Sequence, residues 1–126
     1  MTDRELLDLA RKAAERSYSP YSHFAVGAAL ECEDGTIFTG CNVENAAYGD
    51  TICAERCAVV KAVSEGHTDF VRIAIWGDSQ GYCMPCGSCR QVLSEFSTDL
   101  RVVAARGDGS YVAFPLHELL PHTFGF

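Results

Sequence analysis

Two short segments carry residues that could do chemistry, Cys53-Ala54-Glu55 and Pro85-Cys86-Gly87-Ser88-Cys89. Two thiols three positions apart at the start of a helix can share one metal ion, and a third thiol fills a third tetrahedral position. The fourth is left for water, which separates a catalytic zinc centre from a closed structural one. Unpaired backbone N–H groups at a helix N-terminus favour negative sulfur and help keep such ligands as thiolates. Glu55, in the first turn after Cys53, can face the same ion without binding it, which suits a proton shuttle. Two other readings stand beside this one. Cys86-x-x-Cys89 could be a redox pair, although Cys83 and Cys53 nearby weaken that. Cys57, one helical turn beyond Cys53, could complete a closed four-thiolate site; that would leave Glu55 without a role, and Cys57 is more simply a small core residue.

These segments need helices to begin at them and strands to lead into them. Thr2-x-x-Glu5 predicts a capping box, and Leu6, Leu9, Ala10, Ala13 and Ala14 predict a helix near residues 3–16. Ser19 before Pro20 is pushed away from helix and ends it. Phe24 to Leu30 predicts a buried strand, Glu33-Asp34-Gly35 a turn, and Thr36 to Cys41 the return strand of a hairpin. Asn42 to Asp50 is polar and aperiodic, a loop of the kind that often carries binding groups. A helix from about Cys53 ends at Gly66. Phe70 to Trp76 predicts a strand, Cys86 to Phe96 a helix, Leu100 to Ala105 and Tyr111 to Phe114 two strands, and Pro115 to Leu120 a short helix. The order α-β-β-α-β-α-β-β-α predicts an α/β fold. It is a three-layer α-β-α sandwich around a mixed sheet of about five strands, forming one domain over residues 1–126.

Composition narrows the partners. Hydrophobic residues make up 48% of the chain, enough for a packed core. Ten Lys and Arg stand against 17 Asp and Glu, with no basic run, so a polynucleotide partner is disfavoured and a neutral small molecule is not. No apolar run reaches the roughly 20 residues of a membrane span, and the charged N-terminus lacks a signal-peptide core. The seven cysteines are an odd number. They fit reduced thiols or metal ligands in the cytosol better than a disulfide framework.

A zinc-deaminase signature pairs a ligand-x-Glu segment with Pro-Cys-x-x-Cys, and three cysteines are one ligand variant. Cys53-Ala54-Glu55 with Pro85-Cys86-Gly87-Ser88-Cys89 fits it. Two further stretches extend the likeness, Pro20-Tyr21-Ser22-x-Phe24-x-Val26-Gly27-Ala28-Ala29-Leu30 and Gly40-Cys41-Asn42-Val43-Glu44-Asn45-Ala46-Ala47-Tyr48. On these motifs, from Tyr18 to Phe124, the chain resembles the cytidine deaminases of the small, all-cysteine zinc class. Cys57 and Cys83 are thiols that the family does not need, and Ser88 stands where alanine is common.

The resemblance implies one Zn²⁺ per chain on Cys53, Cys86 and Cys89, with Arg56 hydrogen-bonding zinc-bound sulfur. It implies that cytidine and 2′-deoxycytidine are deaminated to uridine products and ammonia, in pyrimidine salvage. A zinc-activated hydroxide would attack C4, and Glu55 would shuttle the protons. Phe24, Asn42, Glu44, Ala46, Tyr48, Ala54 and Phe124 match substrate-contacting positions. Phe24 would pack on the base and Asn42 with Glu44 would bind the ribose 3′-hydroxyl, while Ala46, Tyr48 and Phe124 would reach a neighbouring subunit's site. A homotetramer with shared sites is therefore implied. The alternative from a different class is a non-catalytic zinc-stabilised binding domain.

Overall fold

The computed structural model describes residues 1–126. Its elements follow the expected order: α1 (Asp3–Ala14), β1 (Val26–Cys32), β2 (Ile37–Cys41), α2 (Ala54–Ser64), β3 (Phe70–Gly77), α3 (Gly87–Ser94), β4 (Arg101–Ala105), β5 (Tyr111–Pro115) and α4 (Leu116–Leu119). The five strands form one sheet in the order β2-β1-β3-β4-β5. β3 and β4 are parallel and every other neighbouring pair is antiparallel, so the sheet is mixed as expected.

Strand alternation divides the core into two layers. Ala28 and Leu30 of β1, Ile73 and Ile75 of β3 and Val102 of β4 point to one face, where α2, Leu93 of α3 and Leu116 of α4 cover them. Ala29, Ala74, Val103 and Ala105 point to the other, where α1 seals them with Leu6, Leu7 and Ala10. β2 and β3 both run antiparallel to β1, hence parallel to each other. The connections β2-α2-β3 and β3-α3-β4 are thus two parallel crossovers that step the same way across the sheet. A common right-handedness puts both helices on one face, and both N-termini then follow the carboxyl ends of their strands, where α/β folds build ligand sites.

Local chemistry sets the element ends. Thr2 accepts the Glu5 N–H at 3.1 Å, so the Thr2 half of the expected capping box is made. Gly66 takes φ +88° after α2, the His67 N–H reaches the Ala62 carbonyl at 2.9 Å, and the Gly66 N–H reaches that of Val63 at 3.0 Å. That is a Schellman closure, which favours glycine. Several element ends differ from the sequence expectation, and α1 stops at Ala14 rather than near residue 16. β1 begins at Val26, where its pairing with Gly77 starts; Phe24 and Ala25 precede the ladder, after His23 with φ +57°. The 42–50 loop contains a single 3₁₀ turn, Tyr48–Asp50. α3 stops at Ser94, two residues early.

Candidate metal centre and active site

Cys53 and Cys86 are the N-cap residues of α2 and α3, both in extended backbone conformation. An N-cap side chain lies beside the unpaired N–H groups of its helix, so two positive helix ends converge on two sulfurs. Cys89, fully buried one turn into α3, adds the third. Cys53 Sγ lies 4.0 Å from Cys86 Sγ, Cys86 Sγ lies 3.5 Å from Cys89 Sγ, and all three sit within 4.8 Å of one another. Sulfurs bound at about 2.3 Å around a tetrahedral zinc stand about 3.8 Å apart. The donor set and its spacing fit one zinc ion.

The three sulfurs hold protons unevenly. The hydrogen bond from the Cys89 thiol pulls the Cys53 pKa down to about 5, with Arg56 adding to it against the cost of burial. That bond and burial push Cys89 upward. Cys53, Cys86 and Cys89 would release those protons to hold a divalent cation as three thiolates. Arg56 Nη2 donates to Cys53 Sγ and to the Thr51 carbonyl, each at 3.4 Å.

Glu55 is 5% exposed. Burial, reinforced by the negative Cys53 sulfur, pushes its pKa up to about 7. A carboxyl balanced near neutrality can both accept and release a proton. Cys57 does not join the sulfur cluster. It faces a groove with Leu9, Arg16 and Cys41 on the far side of α2, so the closed four-thiolate arrangement is not formed.

A cavity of about 290 Å³ opens onto Cys53, Cys86 and Glu55, at the small end of the range for small-molecule sites. Phe24, Asn42, Glu44, Tyr48 and Ala54 line it. Asn42 is largely committed to the scaffold. Its Oδ1 accepts the Val26 N–H at 3.0 Å and the Ser17 hydroxyl, and its Nδ2 donates to the Phe24 carbonyl at 2.8 Å. One amide N–H remains for a ligand. Glu44 Oε1 accepts the Tyr21 and Ser22 N–H groups at 3.0 and 3.1 Å, and Oε2 accepts the Ser22 hydroxyl at 2.5 Å. The Ser22 hydroxyl is the main cause that holds the Glu44 pKa below the usual carboxylate value, so it stays an acceptor at neutral pH.

Two expected residues lie elsewhere. Ala46 lines an adjoining depression with Tyr21 and Asn45. Phe124 is 70% exposed on the C-terminal segment, outside its own chain's cavity. Sequence reasoning gave no role to Ser22, Thr51, Cys83 or Met84, which also line the cavity. Ser22 had a signal, a hydroxyl two positions before an aromatic in a turn, where Ser side chains bond nearby backbone. Its hydroxyl accepts the Phe24 N–H at 3.0 Å. Cys83 had none; burial pushes its thiol up to about 12, and it serves as an apolar wall.

The chain matches the cytidine and deoxycytidylate deaminase zinc-binding region over residues 1–105. It is 46% identical to a cytidine deaminase of Sporosarcina psychrophila over 125 residues, 98% of this chain and 92% of that one. The crystal structure of a cytidine deaminase from Burkholderia pseudomallei superposes with a TM-score of 0.95 at 44% identity, covering 98% of this chain and 100% of that one. One from Mycobacterium tuberculosis gives 0.88 at 39% identity, over 100% and 99%. Motifs, sulfur geometry, fold and relatives agree, and the chain belongs to the cytidine and deoxycytidylate deaminase family.

Proposed function

We propose that this chain, as one domain spanning residues 1–126, is a zinc-dependent cytidine deaminase. It converts cytidine and 2′-deoxycytidine to uridine and 2′-deoxyuridine with release of ammonia, a step of pyrimidine salvage. The carrying observation is the placement of buried Glu55 beside three clustered sulfurs, two of which open onto a nucleoside-sized cavity. A closed structural site would need neither the carboxyl nor the opening, so the non-catalytic alternative is disfavoured.

Cys53, Cys86 and Cys89 would hold one zinc per chain, which when bound supplies a Lewis acid that acidifies water. Arg56 withdraws charge from Cys53 sulfur and so offsets part of the surplus of three thiolates. Glu55 takes a proton from the attacking water and gives it to N3 of the pyrimidine. It then carries a second proton to the 4-amino group as ammonia leaves. Phe24 packs on the base from the cavity wall, and Ala54 lies under it. Glu44 accepts, and the remaining Asn42 N–H donates, at the ribose 3′-hydroxyl.

A homotetramer with shared sites is supported by aromatic side chains left exposed to solvent. Tyr48 is 89% exposed, Tyr21 59% and Phe124 70%. Ala46, Tyr48 and Phe124 would then meet a neighbouring subunit's ligand. A cytoplasmic location is supported by seven free cysteines. No helix is long and apolar enough to cross a membrane. The net charge of -7 speaks against nucleic acid as a partner.

The test is incubation with cytidine, following ammonia release and its suppression by a chelator. Glu55→Gln should keep about one zinc per chain and lose about 10²–10⁴-fold in kcat. Survival of activity in that variant overturns the shuttle, and no turnover of any free nucleoside by the wild type overturns the function.

A further inference from the structure

Arg90 follows Cys89 on α3, yet none of the ion pairs includes it. Its partners are carbonyl groups. Nε donates to the Pro85 carbonyl at 2.8 Å, and Nη1 donates to the Leu119 carbonyl, at the end of α4, also at 2.8 Å. Its backbone N–H donates to the Cys86 carbonyl at 2.9 Å. One residue therefore grips the peptide groups on both sides of Cys86 and, with the same guanidinium, the C-terminal segment.

The neighbouring Gln91 extends this connection. Its Nε2 donates to the Phe124 carbonyl at 3.1 Å, the one hydrogen bond that ties residues 121–126 to the body of the molecule. All six of those residues are exposed. A guanidinium is planar and its donors point in fixed directions, so two bonds from one Arg90 fix the separation of Pro85 from Leu119. Both bonds are charge-assisted, roughly twice as strong as bonds between neutral groups.

We propose that Arg90 is a positioning residue that couples the C-terminal segment to the metal loop, so that metal retention and docking of the tail favour each other. The proposal rests on the three-thiolate metal reading above. Cys86 is the most solvent-accessible of the three sulfur residues, and its backbone is held from α3 through Arg90. Releasing Pro85 frees the N-cap to turn its sulfur away from the other two. Releasing Leu119 frees α4 and the segment beyond it. Because coupling between two events is reciprocal, loss of the metal must loosen the tail by the same free energy that loss of the tail's anchor takes from the metal.

The experiment measures zinc affinity by chelator competition and amide exchange of residues 116–126 by mass spectrometry. The proteins are the full-length wild type, Arg90→Met, Arg90→Lys and Gln91→Ala. Circular dichroism confirms that each is folded. Removal of a group that orients metal ligands costs about 10–100-fold in affinity, so Arg90→Met should bind zinc about 10–100-fold more weakly and exchange faster in the tail. Arg90→Lys, which keeps the charge and can reach only one carbonyl, should fall between. Gln91→Ala loosens the tail without touching Pro85 or Cys86, so it should speed exchange around Phe124 and weaken zinc binding by less than Arg90→Met does. In the wild type, stripping zinc should speed tail exchange. Unchanged zinc affinity in Arg90→Met, or identical tail exchange in zinc-loaded and zinc-free wild type, overturns the coupling. The second comparison needs no variant, so it decides even if Arg90→Met does not fold. A wild type that binds no zinc overturns the metal reading instead.

Discussion

Gly40 is where the fold bears most directly on the metal centre. It lies on β2 under the first turns of α2, and a Cβ added there would stand 2.6 Å from the Ala54 oxygen and 2.6 Å from the Ala58 nitrogen. It would also stand 2.9 Å from Cys57 Cβ. Ordinary contact begins at 3.4 Å, so the shortfall is 3.4 − 2.6 = 0.8 Å, and it is against backbone that cannot rotate away. Gly40→Ala must lift the N-terminal end of α2, and Cys53 with it, by about that much. Overpacking of this kind costs about 1–3 kcal/mol. The same movement would disturb the 4.0 Å separation of Cys53 from Cys86 sulfur by several times the roughly 0.2 Å tolerance of a metal–ligand distance. We expect a lower urea midpoint and less than one zinc per chain, read by denaturation and by metal analysis of the dialysed protein. Gly81→Ala is the control, since nothing lies within 4 Å of its added carbon. A Gly40→Ala protein with wild-type zinc content and stability within about 0.5 kcal/mol of wild type would refute the reasoning.

Cys57→Ala should keep both zinc and turnover, and a fall in zinc content would revive the four-thiolate arrangement. Ser22→Ala removes the donor to Glu44 and the acceptor of the Phe24 N–H. Its KM for cytidine should rise roughly 5–30-fold with kcat little changed, the equivalent of about 1–2 kcal/mol; a fall in kcat alone would count against it. Asp3 accepts from Arg72 at 2.9 Å and from Arg101 at 2.6 Å, and the Arg101 hydrogen bond, with Arg72 adding to it, holds its pKa below 3.8. A folded-state pKa below the unfolded one contributes stability that is complete above that unfolded value and is lost as pH falls through the folded one. Asp3→Asn should therefore flatten the acid limb of stability below about pH 3.8, read from urea midpoints, and an unchanged limb would show that other groups control it.

What could be read from the chain by itself was local. The Thr2 cap, the Gly66 stop, the alternation in the strands and the two cysteines at helix starts each depend on a few neighbouring residues. Short-range sterics and hydrogen bonding decide them. The α/β order, and Cys53, Cys86, Cys89 and Glu55 as candidates, were legible for that reason, and the motif likeness added Phe24, Asn42 and Glu44 as further candidates. Tertiary structure decided the rest. Only the two same-face crossovers bring Cys53 within 4.0 Å of Cys86. Only burial under the sheet's helices carries Glu55 up to about 7, since desolvation depends on everything packed around a group. Cys57 is excluded because α2 turns it toward a different groove, and spacing along one helix says nothing about where the partner helix lies. Ser22 holding Glu44, and Arg90 joining Pro85 to Leu119, are contacts between segments far apart in sequence. Pairings of that kind follow from how the layers close, so the sequence fixes the parts of this centre and the packing fixes how they meet.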